Sequence, residues 1–309
     1  MTSLVGYTGF VGSNIYAAGK KEINKIYNSK NIEEAFGTKP DLLIYAGIRA
    51  EKYLANTNPD TDMQAIYQAE ENIRKINAKK LVLISTIDIL KNPNGKNETS
   101  TVETTELPAY GLNRYHLERW TRQAYPDALI IRLPGLYGKN IKKNFIYDYI
   151  NIIPFMLNQP KFKELTAKDK ELESYYELQP NGFYKCKELT YDNKERLKQK
   201  FKNLSFTALN FTDSRSIYQF YPLSRLWNDI QTAIKADIKL WHPATEPVSA
   251  GEIYKYLTNS EFVNELAPQP ASYDYRTKYA DIFGGKGEYL MTKEQVLKDI
   301  DKFVRGTEI

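Results

Sequence analysis

Three glycines spaced by two residues each open the chain, in the string Leu4-Val5-Gly6-Tyr7-Thr8-Gly9-Phe10-Val11-Gly12. A short apolar run, residues 3–5, leads into them, and a helix-like stretch, residues 10–18, leads out. Few folds accept a strand that enters a helix through such a turn. Gly6 allows a tight turn at positive φ, Gly9 lets the backbone approach a ligand, and Gly12 lets the helix lie against the strand. The helix N-terminus then offers free N–H groups and a partial positive charge, which suit a pyrophosphate. A lone glycine triplet also arises by chance in loops. Here the preceding strand and following helix supply the context that a dinucleotide turn requires.

The rest of the N-terminal half alternates in the same way. Strand patterns fall at residues 3–6, 23–27, 41–46, 80–87 and 128–133. Two of them carry continuous apolar runs, Leu42-Leu43-Ile44-Tyr45 and Leu81-Val82-Leu83-Ile84. Such runs fit strands covered on both faces of a parallel sheet. Between them, Met63, Ile66, Ala69, Ile73 and Ile76 recur at three- and four-residue steps, giving residues 62–77 one apolar helical face. Pro108 can open another helix, running to about Ala124. The alternation predicts an α/β fold with a doubly wound parallel-sheet Rossmann domain.

From residue 139 to about 214 the pattern breaks into a segment rich in Tyr, Phe, Asn and Lys. It holds a helix pattern at 145–157 and a strand-like run at 205–209. Beyond it lie helix patterns near 223–234, 249–257 and 292–304 and a strand near 238–241. The expected division is a Rossmann domain over 1–138, with returning segments near 205–240, and a smaller C-terminal α/β substrate domain, mainly 139–309.

Composition excludes several classes. The net charge of +5 is spread over basic pairs among acidic residues, with no dense stripe to track nucleic acid. No apolar run approaches the ~20 residues that span a bilayer. No signal peptide precedes the first strand, and Cys186 is the only cysteine, so a reducing, cytoplasmic setting is expected. His116 and His242 are the only histidines and lie far apart, which argues against zinc. No metal site is assigned, although a carboxylate-only magnesium site stays open.

Two further strings carry chemistry. Leu83-Ile84-Ser85-Thr86 ends the fourth strand, where open α/β sheets bind ligands. In Tyr110-Gly111-Leu112-Asn113-Arg114, Tyr110 and Arg114 are four apart on one helix face. A cation beside a phenol lowers its pKa. A phenol so tuned can pass a proton while a hydride moves to or from a nicotinamide, and Thr86 can hydrogen-bond the reacting oxygen.

At these residues the sequence resembles the extended short-chain dehydrogenase/reductase family, the NAD(P)-dependent epimerases, dehydratases and reductases of nucleotide sugars. The matching pieces are the segment 6–12, Ala46-Gly47, Ser85-Thr86, Tyr110-Gly111-x-x-Arg114 and Arg132-Leu133-Pro134-Gly135-Leu136-Tyr137-Gly138. Ser214-Arg215-Ser216-Ile217-Tyr218-Gln219-Phe220 is similar to the segment whose arginine holds the diphosphate of the substrate. The strings Tyr27-Asn28-Ser29-Lys30-Asn31 and Gly47-Ile48-Arg49-Ala50-Glu51-Lys52 look like a branch met in bacterial surface-polysaccharide gene clusters.

The resemblance implies a cofactor held by Gly6, Thr8, Gly9, Phe10, Val11, Gly12, Asn28, Ser29, Lys30, Ala46, Gly47, Tyr110 and Arg114. It implies catalysis by Thr86, Tyr110 and Arg114, and substrate contacts from Asp88, Asn144 and Arg215. Members of the family often pair as homodimers through the counterparts of helices 63–76 and 110–120, although apolar residues there serve equally to cover a sheet.

Departures from the family pattern shape the expectation. Arg114 stands where the family has lysine. It keeps the charge, but its planar fork sits differently. A cofactor-binding protein with a degenerate site and a regulatory or scaffolding role is the alternative this raises. Thr86-Ile87-Asp88 replaces the dehydratase string Thr-Asp-Glu, so reduction or epimerisation is favoured over dehydration. Asp88 takes either the base position or the commoner role of binding a backbone amide. Asn28-Ser29-Lys30 stands where NAD-specific enzymes place an acidic residue. This leans the cofactor, NAD or NADP, towards NADP, with Lys30 either facing a 2′-phosphate or solvated at a helix start. His116 is expected at the surface or an interface, and Glu118 is expected to pair with Arg114 or Arg122 for a few tenths of a kcal/mol. The aromatic string Tyr218-Gln219-Phe220-Tyr221 near Trp227 is expected in the core.

Overall fold

The computed structural model describes residues 1–307. The chain forms two compact units, one of residues Met1–Ile141, Ile217–Val248 and Ser272–Asp299, the other of Lys142–Ser216, Ser249–Ala271 and Ile300–Ile309.

The first unit is built on six parallel strands. These are β1 (Thr2–Val5), β2 (Lys25–Tyr27), β3 (Leu42–Tyr45), β4 (Lys80–Thr86), β5 (Leu129–Leu133) and a late-returning strand, Leu240–Trp241. Their order across the sheet is β2, β1, β3, β4, β5 and then the returning strand. Leu4 pairs in register with Ile44, and Tyr45 with Leu83. Because side chains alternate across a strand, Val5, Leu43, Tyr45, Leu81, Leu83 and Ile130 share one face.

That face is covered by Ile66, Ala69, Ile73 and Ile76 of the helix Pro59–Ile76 and by Leu117 of the helix Ala109–Ala124, all buried. The helices of this unit are α1 (Phe10–Gly19), the short α2 (Lys52–Thr57), α3 (Pro59–Ile76) and α4 (Ala109–Ala124), with a later helix, Leu226–Lys235. The later helix packs against α1. The sheet is therefore doubly wound, as the strand–helix alternation predicts. Of that aromatic string, Gln219, Phe220, Tyr221 and the nearby Trp227 are buried as expected, while Tyr218 is only half-buried.

The second unit holds α5 (Phe145–Asn151), α6 (Gln159–Lys168) and α7 (Tyr191–Asn203), with an antiparallel sheet of Met156–Leu157, Tyr184–Cys186 and Tyr176–Leu178. Its core is Leu157, Phe162, Leu165, Leu172, Leu197 and Phe201. The Phe162 and Tyr184 rings stack at 3.7 Å. Two sequence expectations fail here. The helix expected over 145–157 ends at Asn151, since Pro154 forces the residue before it out of the helical region. The strand-like run 205–209 is no strand: Ser205 sits at φ 50° and a capping box between Thr207 and Asn210 starts a short 3₁₀ turn at Ala208. No helix among the described residues is long and apolar enough to cross a membrane.

A buried polar network ties α4 to the sheet. The Glu118 carboxylate is fully buried and receives Ser85 Oγ at 2.6 Å, Arg132 Nη2 at 2.7 Å and Arg132 Nε at 3.1 Å. Of the two partners expected at helical spacing, Glu118 takes Arg122 at 3.0 Å, while Arg114 pairs with Asp62. Arg132 Nη1 lies 3.2 Å from His242 Nε2. Arginine only donates, so Nε2 accepts and Nδ1–H faces the Arg276 carbonyl at 3.3 Å.

Burial first, then the charge of Arg132, lowers the His242 pKa from 6.5 to about 3. The unfolded chain binds this proton below about pH 6.5 and the folded chain does not. The stabilisation is complete above that value and is lost as pH falls toward about 3. Denaturant unfolding across this window is expected to show a steeper acid-side fall in stability for the native chain than for His242→Gln. Equal slopes would contradict the assignment.

Candidate active site

The carboxyl ends of the parallel strands place the residues singled out by sequence. The chain leaves β1 for β2 on one side, then crosses to β3 on the other, so the β1/β3 gap is the topological switch point where such sheets bind ligands. Gly6 lies there at φ +89°. A Cβ on Gly6 would stand 2.3 Å from the Ala46 carbonyl oxygen, and one on Gly12 would stand 2.1 Å from the Gly6 carbonyl oxygen. The turn, the β3 exit and the start of α1 are therefore packed backbone to backbone. Thr8 and Gly9 are exposed, and Phe10 and Val11 half-buried.

Gly9 is the N-cap of α1 in an extended conformation, with no side-chain cap and no acidic residue in the first turn. That end of the helix is built to receive an anion, so a cofactor pyrophosphate fits this turn. At the end of β2, Asn28 accepts from the Lys30 amide at 2.8 Å, and the Asn28 amide donates to Asn31 Oδ1 at 2.8 Å. Asn28, Ser29 and Lys30 so form a closed polar turn with no carboxylate, and Ser29 and Lys30 are exposed. Ala46 is half-buried and Gly47 exposed beside the glycine turn.

Thr86 ends β4, and Tyr110 begins α4. The Thr86 hydroxyl is near enough to the Tyr110 phenol to favour its ionised form. What brings them together is a missing side chain. A Cβ on Gly111 would stand 2.3 Å from the Asp88 carbonyl oxygen, so α4 can lie against the turn after β4 only with glycine there. The Tyr110 amide is held by Asn56 Oδ1 at 2.9 Å, from α2.

Arg114 stacks over the Tyr110 ring at 4.0 Å. Its guanidinium is buried, ion-paired with Asp62, and donates to the Arg49 carbonyl at 2.8 Å and to the Tyr110 carbonyl at 3.3 Å. Asn113 clamps the same Asp62 at 2.9 Å. The expectation of a lowered tyrosine pKa fails. Burial raises the Tyr110 pKa and outweighs Arg114, which lowers it; Asp88 raises it further, and Thr86 and Lys52 pull it back only in part. Tyr110 is a protonated phenol near neutrality.

Among the described residues, the Asp88 side chain binds no backbone amide. Its carboxylate meets Lys52 Nζ at 2.9 Å, while its own amide donates to Thr86 Oγ1 at 3.2 Å. Burial pulls the Lys52 pKa down, but the charge and hydrogen bond of Asp88 more than reverse this. The phenol of Tyr273, raised by burial, feels both charges. Lys52, Asn56, Asp62 and Tyr273 carry no site signal in the sequence; Lys52 alone falls in a string that carries the resemblance, and there it has no role.

The remaining expected residues lie in the second unit. Asn144, at φ 109°, caps α5 by accepting from the Tyr147 amide at 3.2 Å. Arg215 grips Asp213 through two hydrogen bonds of 3.0 and 2.8 Å, donates to the Ala267 carbonyl at 2.7 Å and pairs with Glu265 at 2.9 Å. On the first unit, His116 pairs with Glu70 at 3.1 Å and packs edge-on against Tyr67.

The fold can be placed among known structures. No family model matches the chain, and no curated protein matches it by sequence. Among solved structures it is similar to the dTDP-4-dehydrorhamnose reductase of Bacillus anthracis in complex with NADP, with 16% identity, 99% of each chain covered and a TM-score of 0.62. It is also similar to the UDP-glucose 4-epimerase of Thermotoga maritima with UDP-glucose, at 14% identity, full coverage of both chains and a TM-score of 0.63. The Bordetella bronchiseptica enzyme WbmG in complex with NAD and UDP matches at 13% identity over 99% of this chain and 94% of its own, with a TM-score of 0.63. The likeness establishes the Rossmann-type fold along the full chain.

The Gly111 contact has a direct consequence. Gly111→Ala is expected to cost about 1–3 kcal/mol of stability by overpacking, read in thermal or denaturant unfolding. Arg119→Ala, on the exposed face of the same helix, should stay within about 0.5 kcal/mol. Equal effects at the two positions would rule out the close approach.

Proposed function

We propose that the protein is an extended short-chain dehydrogenase/reductase, an NAD(P)-dependent oxidoreductase or epimerase acting on a nucleotide-activated sugar, in surface-polysaccharide biosynthesis. The observation that carries this is the pairing of Tyr110 with Thr86 at the sheet's carboxyl edge, in the same unit as the glycine turn under Ala46. The NADP, NAD, UDP and UDP-glucose found with the three fold neighbours support it.

The pyrophosphate of the cofactor would lie on the first turn of α1, its adenosine end toward Asn28-Ser29-Lys30 and its nicotinamide end toward Tyr110. The lack of a carboxylate in the β2 turn favours NADP. When bound, the nicotinamide supplies or takes up a hydride at the sugar. Thr86 orients the reacting oxygen, and Tyr110 gives it a proton. The raised pKa has a sign. A phenol that keeps its proton through neutral pH is poised as an acid, which favours reduction of a keto sugar over oxidation of an alcohol. Ile87 in place of an acid disfavours dehydration.

Arg114 holds the ring and lends it positive charge. Because its fork is already engaged by Asp62 and the Arg49 carbonyl, contact with the nicotinamide ribose is left to its remaining N–H groups. In the second unit, the two residues expected to contact substrate are already engaged within that unit, Arg215 by Asp213 and Glu265 and Asn144 by the Tyr147 amide. Tyr53, Leu54, Tyr67 and Leu112 are exposed on α2, α3 and α4 and suit a homodimer contact. The engaged Arg114 fork also favours a second reading, a cofactor-binding protein without turnover.

Tyr110→Phe decides between the two. It is expected to lower kcat by about 10²-fold or more while leaving NAD(P)H affinity, measured by calorimetry, within about threefold. Reduction by the native chain should hold through neutral pH and fall only as pH passes the raised phenol pKa, above the ordinary 10.0. Equal activity in Tyr110→Phe would remove the mechanism. Cofactor binding with no turnover on any keto nucleotide sugar would establish the second reading.

A further inference from the structure

Two elements touch the backbone at Tyr110 and Gly111. The short helix α2 holds the Tyr110 amide through Asn56, and the turn after β4 lies under Gly111 through the Asp88 carbonyl. Each carries one member of an ion pair: Lys52 is the first residue of α2, and Asp88 belongs to the turn, with Nζ and Oδ1 at 2.9 Å. The pair thus joins the two supports of Tyr110 to each other. Lys52 is half-exposed and Asp88 less so, which leaves the ammonium with donors to spare. Arg114, by contrast, is buried over the ring face with its charge answered by Asp62.

We propose that Lys52 and Asp88 are a positioning pair for Tyr110: their ion pair ties together the two elements that hold the Tyr110 and Gly111 backbone. This rests on the hydride-transfer reading for its kinetic readout only. The charged and titratable groups facing Tyr110 are Arg114 over the ring, Asp62 behind Arg114, Lys52 and Asp88. Tyr273 borders Lys52 and Asp88, with Tyr218 acting on Tyr273 in turn. Of these, Lys52 and Asp88 push Tyr110 in opposite directions: Lys52 favours the phenolate, and Asp88 favours the phenol.

The test uses the full chain with Lys52→Met, Lys52→Arg, Asp88→Asn and the double variant Lys52→Met/Asp88→Asn. The Tyr110 titration is followed by NMR of labelled tyrosine Cζ, its signal identified by loss in Tyr110→Phe. Lys52→Met is expected to move the titration to higher pH and Asp88→Asn to lower pH. Lys52→Arg should stay with the native chain, and the double variant should fall between the two single ones. Where turnover is measurable, the alkaline limb of kcat should move in the same directions, with kcat shifting more than KM. Thermal unfolding at neutral pH checks that each variant is folded. No movement, or movement of Lys52→Met and Asp88→Asn in the same direction, overturns the proposal. Absence of turnover with every nucleotide sugar would count against the proposed function, and the phenol titration would still decide for or against the pair.

Discussion

The buried ion pair of Glu118 with Arg132 is the constraint on which the site depends. Two fully desolvated charges are costly unless every lone pair and proton is answered, and here Ser85, Arg122 and His242 complete the set. Removing one partner of such a pair typically costs about 3–5 kcal/mol, a large part of the stability of an ordinary domain. The pair fixes α4 against β4 and β5 at once. Tyr110 lies eight residues before Glu118 on the same helix, about two turns away. The phenol's place over Thr86 is therefore inherited from a salt bridge in the core.

At the other end of α4, small features take over. Gly111 lets the helix settle on the Asp88 carbonyl, Asn56 takes the Tyr110 amide, and Asp62 holds both Asn113 and Arg114. The outcome is a phenol too deeply buried to ionise readily, with a cation on its ring face. Burial decides the contest, since the loss of water outweighs the guanidinium. That balance keeps the phenol protonated near neutrality, as the proposed reduction requires.

The parallel sheet was largely legible, because strands covered on both faces must be apolar throughout and glycine has few substitutes at φ +89°. The second unit was less so. Its short strands and 3₁₀ turns depend on contacts such as the Thr207–Asn210 capping box and on the break at Pro154, which periodicity does not register. In the site, Tyr110 and Thr86 could be read from local strings. Their environment could not. The partner of Glu118 at helical spacing was in view, but Arg132 reaches it across the sheet. Lys52 and Asp88 lie 36 residues apart and meet only because α2 and the turn after β4 converge on one tyrosine.

We propose that a hydride passes between a nicotinamide and a sugar nucleotide at the Tyr110–Thr86 edge. The most direct measurement is to incubate the protein with deuterated NADPH or NADH and a panel of 4-keto nucleotide sugars, then locate the label by mass spectrometry. Deuterium on the carbon of the former carbonyl, in one nucleotide sugar, is the result predicted. Firm cofactor binding with every keto sugar recovered unlabelled would contradict the account.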